Sequence, residues 1–194
     1  MVDDLNQRLS FLLEVDRLKL VDRQSKVAGG QRRENSAEHS WHLALFALIL
    51  GKDRPIDLLK TLTILLIHDL VEIDAGDTPL HSGNRQDKME AEKAAAQRIF
   101  GLLPPGDAAD CLALWDEFET GNGAEAVFAR GLDRLQPLLL NLVNEGGTWA
   151  ENSVGEQTVM ERYGPAISTA FPDVWPIIEQ MVRLHFAGRQ PPVA

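Results

Sequence analysis

Cysteine is almost absent: Cys111 stands alone among 194 residues, with no CxxC partner. That excludes a disulfide framework within one chain and any cluster of thiolate metal ligands. Long apolar runs are absent too. The longest, "LALFALIL" at 43–50, is far shorter than the roughly 20 residues that a membrane-spanning helix needs. The opening "MVDDLNQ" is acidic and has no apolar centre, so no signal peptide is expected. Basic residues are the minority, 19 Lys and Arg against 29 Asp and Glu, for a formal net charge of −10. Nucleic-acid binding is therefore not expected as the main role, and a phosphate ligand would need a local cationic pocket. Alternating β-type runs, repeats, linkers and low-complexity segments are missing as well. The expectation is a cytoplasmic protein with no membrane partner and one domain over 1–194, its core at about 5–187 and a tail at 188–194.

What the chain does have is apolar residues at helical spacing and a hydrophobic content of 44%, enough for a core. Leu5, Leu9, Leu12, Leu13 and Leu18 predict an amphipathic helix near 4–19. Ser36 reads as the N-cap of the next helix, with Gly51 at its exit. Pro55 is expected to open a helix that runs to about 73 and is apolar nearly all round. Further helices are expected over 87–103, over "PPGDAADCLALWDEFETG", over 124–145 with a kink at Pro137, and over 154–164 and 173–187, with "GGTWAENS" as a loop. The sum is an all-α bundle of about seven or eight helices.

Polar residues break the apolar pattern in three places. In "LLIHDLVEIDAGDTP" (65–79), His68 and Glu72 share a helix face, as do Asp69 and Glu72, and Asp77 follows in a loop. Acids are unfavourable at a helix C-terminus, whose carbonyls carry partial negative charge, so a positive partner should lie nearby. A salt bridge or a metal ion would serve. In "RRENSAEHSWH", His39 opens an otherwise apolar helix; alone, it reads better as a hydrogen-bonded core residue than as a ligand. Asp133 lies among leucines in "FARGLDRLQPLLL", and alone it reads better as a partner of Arg130 or Arg134. Together, His39, His68, Asp69 and Asp133 supply two imidazoles and two carboxylates, a set that suits one divalent ion: Mn, Fe, Co, Ni, Zn or, less well, Mg. The four tryptophans, Trp41, Trp115, Trp149 and Trp175, read as core or interface residues, and His42, His81 and His185 have no assigned role.

In order and spacing, "RRENSAEHSWH", "HDLVEIDAGDTP" and "EAVFARGLDRLQPLLL" resemble the HD-domain superfamily of metal-dependent phosphohydrolases. The resemblance is to the branch that holds the bacterial 5′-deoxynucleotidases and the HD-domain-containing protein 2 group, and it spans roughly residues 5–185. It implies an all-α fold, a homodimer, metal ligands at His39, His68, Asp69 and Asp133, an acid near the attacking water at Glu72, and an acid near the sugar and leaving group at Asp77. The Arg-Trp pair of the bacterial enzymes has no counterpart in "RLKLVDRQSKV", where Lys19 stands. Arg33, just before the "EN" step, is the expected phosphate-side cation. The implied activity is removal of the 5′-phosphate from (deoxy)nucleoside monophosphates. The alternatives are another HD phosphohydrolase activity, on nucleotide pyrophosphates or signalling nucleotides, and a nucleotide-binding module without turnover.

Overall fold

The structure is a computed structural model, and it describes residues 2–77 and 85–189. His81 and the end of the expected tail, 190–194, lie outside the described residues. The all-α expectation holds. The α-helices run α1 Val2–Glu14, α2 Ser36–Leu50, α3 Leu58–Ile67, α4 Glu72–Ala75, α5 Arg85–Phe100, α6 Pro105–Thr120, α7 Ala124–Val143, α8 Gly147–Glu151, α9 Glu156–Ala170 and α10 Trp175–Phe186. Eight of these have ten or more residues among the described ones. Two 3₁₀ turns, Val15–Leu20 and His68–Val71, follow α1 and α3 directly. No described helix is long and apolar enough to cross a membrane.

Several boundaries differ from the sequence reading, each for a local reason. The N-cap of α2 is Asn35, not Ser36. Its side chain accepts from the Glu38 amide at 2.9 Å while the Glu38 carboxylate accepts from the Asn35 amide at 3.1 Å, closing a capping box. Ser36 becomes the first helical residue, its hydroxyl free for another partner. Pro55 lies outside α3; Asp57 caps that helix instead, accepting from the Lys60 amide. The helix expected to run to 73 stops being α-helical at Ile67. Helix α9 passes through Gly164 and Pro165 to Ala170, and "GGTWAENS" contains the short α8. A two-stranded antiparallel hairpin, β1 Asp22–Lys26 and β2 Arg33–Asn35, was not expected at all.

The core has two parts. One joins α2, α3, α7, α9 and α10 through residues such as Leu43, Ile64, Leu65, Leu132, Ile167 and Phe171. The other joins the first 3₁₀ turn, the second 3₁₀ turn, α5 and α6 through Leu18, Leu70, Val71, Ile99 and Trp115. Leu65 belongs to the first and Leu70 to the second, so His68 and Asp69 sit at the seam. Helices α7 and α9 meet closely at Gly131, where an added Cβ would lie 2.3 Å from the Ala170 Cβ and 2.8 Å from a Phe171 ring carbon. Gly131→Val is therefore expected to overpack this crossing by about 1–3 kcal/mol and to lower the melting temperature by about 2–10 °C. A thermal melt at or above the wild-type value would contradict it. Helix α2 is apolar on every side, and its outward face leaves Trp41 61% and Ile49 76% exposed, with Leu45 and Leu48 between them.

Candidate metal centre

Three helical segments and the hairpin bring the site together. The capping box starts α2 so that His39 falls one turn in and is fully buried. Helix α3 carries the chain through the core and hands it to the His68–Val71 turn, where His68 and Asp69 are buried. A 3₁₀ turn eclipses residues three apart, so Asp69 and Glu72 point the same way. Gly76 ends α4 with φ 73°, a left-handed value that favours glycine, and turns Asp77 back toward the cluster. Asp133 comes from the middle of α7; Pro137, one turn on, has no N–H to offer the Asp133 carbonyl, yet the helix continues to Val143.

The four expected ligands converge. His39 Nε2 lies 3.0 Å from Asp133 Oδ1 and 3.9 Å from Asp69 Oδ2. His68 Nε2 lies 3.1 Å from Asp69 Oδ1 and 3.8 Å from Asp133 Oδ1. Candidate ligand atoms of His39, His68 and Asp69 all fall within 4.8 Å of one another. His68 Nδ1 donates to the Leu65 carbonyl at 2.8 Å, which turns Nε2 toward the acids. That buried Nε2 has no hydrogen-bond partner among the described residues. Facing two carboxylates, that nitrogen calls for a positive charge, either its own proton or a bound cation, and a set of two nitrogens and two oxygens fits a borderline divalent ion.

The hairpin supplies a cation that the sequence reading missed. Arg23, nearly buried, donates to Asp69 Oδ2 at 2.7 Å and lies 3.6 Å from Glu72 and 3.8 Å from Asp77. Burial works against its charge, but Asp69, Glu72, Asp77 and Asp133 outweigh that and raise its pKa further. Glu72 Oε2 accepts the Ser36 hydroxyl at 2.6 Å. Burial first, then the charge of Asp69, pushes the Glu72 carboxyl up to about 8. Burial would lower His68, but the charges of Asp69 and then Asp133 raise it to about 9. Asp133 is also penalised by burial, yet Arg134, His39 and His68 hold it well below the usual carboxylate range. Arg134 bonds Asp133 Oδ2 at 2.6 Å, so that expected partner is present alongside the imidazoles.

The other residues singled out lie elsewhere. On β2, Glu34 faces inward and Arg33 outward, because side chains alternate along a strand. Arg33 donates to the Gln24 carbonyl and to Glu151. Lys19 is exposed and pairs with Asp16. The structure brings neither Arg33 nor Lys19 to the cluster. Asp74 pairs with Arg98 on α5. Trp115 and Trp149 are core residues, and His185 packs on Trp149. His42 hydrogen-bonds Gln136, a residue that, with Glu34, had no expected role in the sequence, while Ser36 was expected only as a cap. The only sequence signal for Arg23 was the demand for a positive partner opposite the acids.

The chain matches the family model described as "HD domain" over residues 15–175. It is 43% identical to a protein of Magnetospirillum magnetotacticum MS-1 described as a predicted metal-dependent phosphohydrolase, with a TM-score of 0.90 over 95% of this chain and 94% of that one. It is 32% identical over 133 residues to the human 5'-deoxynucleotidase HDDC2, a match that covers 68% of this chain and 65% of the relative. The chain thus spans just under two thirds of that relative's length. A protein of Pyrococcus horikoshii OT3, 23% identical, shares the fold with a TM-score of 0.67 over 89% of this chain and 99% of that one.

Proposed function

The chain belongs to the HD-domain family, and on that premise we propose that it is a metal-dependent phosphohydrolase that removes the 5′-phosphate from nucleoside monophosphates, with deoxynucleotides as the first candidates. The observation that carries this reading is the cluster of two imidazoles and two carboxylates with a buried arginine and a further acid, Glu72, at its edge. The 5'-deoxynucleotidase relatives support the substrate class.

His39, His68, Asp69 and Asp133 would hold the ion. A divalent ion there supplies Lewis acidity toward a phosphate oxygen and lowers the pKa of a water toward ~7. The rest of the work falls to the chain. Glu72 has Oε2 fixed by the Ser36 hydroxyl, which leaves Oε1 to take a proton from the attacking water. A carboxyl raised toward neutrality is suited to exchanging that proton. Arg23 presents a planar fork of donors to the phosphate oxygens, at a point where three acids already hold it. We assign the phosphate-side role to Arg23 over Arg33 and Lys19, since those two point to the surface. The leaving 5′-oxygen needs a proton, and Asp77 would pass to it the one that Glu72 takes from the attacking water.

The test is to strip the protein of metal, add back Mn, Co, Mg or Zn, and measure phosphate release from a panel of nucleoside 5′-monophosphates. No release with any metal sinks the reading. In the same assay Arg23→Ala should keep its metal and lose roughly 10²-fold or more in kcat/KM, the scale of a fully engaged charged hydrogen-bond pair. Arg33→Ala should stay within a few-fold of wild type; the reverse pattern would return the role to Arg33. We also propose that a second copy of the chain covers the outward face of α2. Sedimentation should then give a dimer that Trp41→Glu disrupts, and a wild-type monomer at micromolar concentration would refute it.

A further inference from the structure

Behind His39, on the side away from the acids, lies a second buried chain of hydrogen bonds. His39 Nδ1 is 3.1 Å from Gln136 Oε1. Gln136 Nε2 is 2.6 Å from Glu34 Oε1 and 3.2 Å from His42 Nδ1. Gln136 is fully buried and Glu34 nearly so. These contacts use the whole amide: one oxygen with one neighbour, and two N–H hydrogens with two neighbours.

Two orientations of that amide are open in principle, and Glu34 decides between them. With the nitrogen toward Glu34, a donor meets a carboxylate at 2.6 Å. With the amide flipped, two oxygens would face each other at that distance in a buried site, which is strongly unfavourable. The amide oxygen therefore faces His39, and only a protonated Nδ1 satisfies it. With Nδ1 committed to Gln136, Nε2 is the nitrogen left to bind a metal ion, and without one it lies within hydrogen-bond distance of Asp133 Oδ1, at 3.0 Å. Glu34 Oε2 lies 4.0 Å from Arg23 Nε.

We propose that Glu34 and Gln136 are positioning residues: Glu34 orients the Gln136 amide, and Gln136 fixes the His39 tautomer that presents Nε2 to a metal ion. This rests on the metal-centre reading above and adds to it the means by which one ligand is prepared. The hairpin thereby acts on both sides of the site, through Arg23 in front of the acids and through Glu34 behind His39.

The experiment is a Mn²⁺ titration by calorimetry on wild type, Gln136→Met and the double swap Glu34→Gln/Gln136→Glu. Gln136→Met keeps the volume and removes the amide, and its Kd for Mn²⁺ should rise about 10–100-fold, the usual effect of losing an outer partner of a ligating histidine. The swap exchanges donor and acceptor between the two positions but still offers His39 an acceptor, so it should recover most of the lost affinity. A purely structural role would predict no such recovery. In wild type loaded with Zn²⁺, imidazole ¹⁵N shifts should show His39 protonated on Nδ1 and bound to the ion through Nε2. A proton on Nε2 overturns the proposal, as does a Gln136→Met that binds Mn²⁺ as tightly as wild type, or a swap that melts like wild type yet binds no better than Gln136→Met. Wild type that binds no divalent ion overturns both this proposal and the metal-centre reading, whereas wild type that binds while the variants do not differ overturns the relay alone.

Discussion

Glu72→Gln is expected to retain its divalent ion and lose about 10²–10⁴-fold in kcat, the usual scale for removing a general base or acid. The variant is chosen for what it preserves. A glutamine oxygen still accepts the Ser36 hydroxyl that now reaches Glu72 Oε2 at 2.6 Å, so the side chain keeps its place. It also removes a carboxylate whose charge burial and then Asp69 disfavour, so the fold should lose little stability. What disappears is the capacity to take a proton. Metal analysis beside steady-state kinetics separates the outcomes. Loss of the ion together with the rate would make Glu72 a ligand. A kcat within a few-fold of wild type would remove it from proton handling.

Asp133→Asn is expected to fail earlier, at binding. Asp133 Oδ1 faces both imidazoles and its Oδ2 receives Arg134, so the carboxylate is the charge that joins α7 to the other ligand segments. The amide keeps the shape and loses the charge. Metal affinity should drop by at least about 100-fold, beyond the range for outer partners of a ligand. Phosphate release should match that of chelator-treated wild type. A second readout needs no substrate. A ligand that binds only the folded state raises stability by about 2.7 kcal/mol at a hundred times its Kd, so Mn²⁺ should raise the wild-type melting temperature and leave that of Asp133→Asn unchanged. Equal shifts in the two proteins would remove Asp133 from the ligand set.

Much of this site was legible because its residues violate the pattern around them. His68 and Asp69 interrupt an apolar helix, and Asp133 sits among leucines, so each stood out against period-3.6 burial. The electrostatic demand for a positive group near the acids is met in this fold by Arg23, and the cluster could also hold a metal ion. Arg23 was not legible, because β1 is five polar or charged residues with no apolar alternation to reveal a strand. Without the hairpin, the inward turn of Glu34 and the outward turn of Arg33 could not be read either, since strand parity decides both. The change from α to 3₁₀ winding at His68 carried no glycine or proline to mark it. Its warning was the buried polar pair itself. Asn35 and Ser36 show the same limit on a smaller scale: both suit a cap, and the reciprocal bond with Glu38 chose between them.

The contacts that build the site join distant parts of the chain. His39 and Asp133 are 94 residues apart, Gln136 and Glu34 are 102 apart, and Arg23 and Asp69 are 46 apart. Closing such loops costs entropy that local helix formation does not. Helix α2, the His68–Val71 turn and α7 must meet before the four ligands face one another, so completion of the centre is expected late in folding. Interactions absent from a folding transition state act on the unfolding rate. An ion held by these residues would then do little to hasten folding and much to slow escape from the native state, acting as a latch on a chain whose two halves have already found each other.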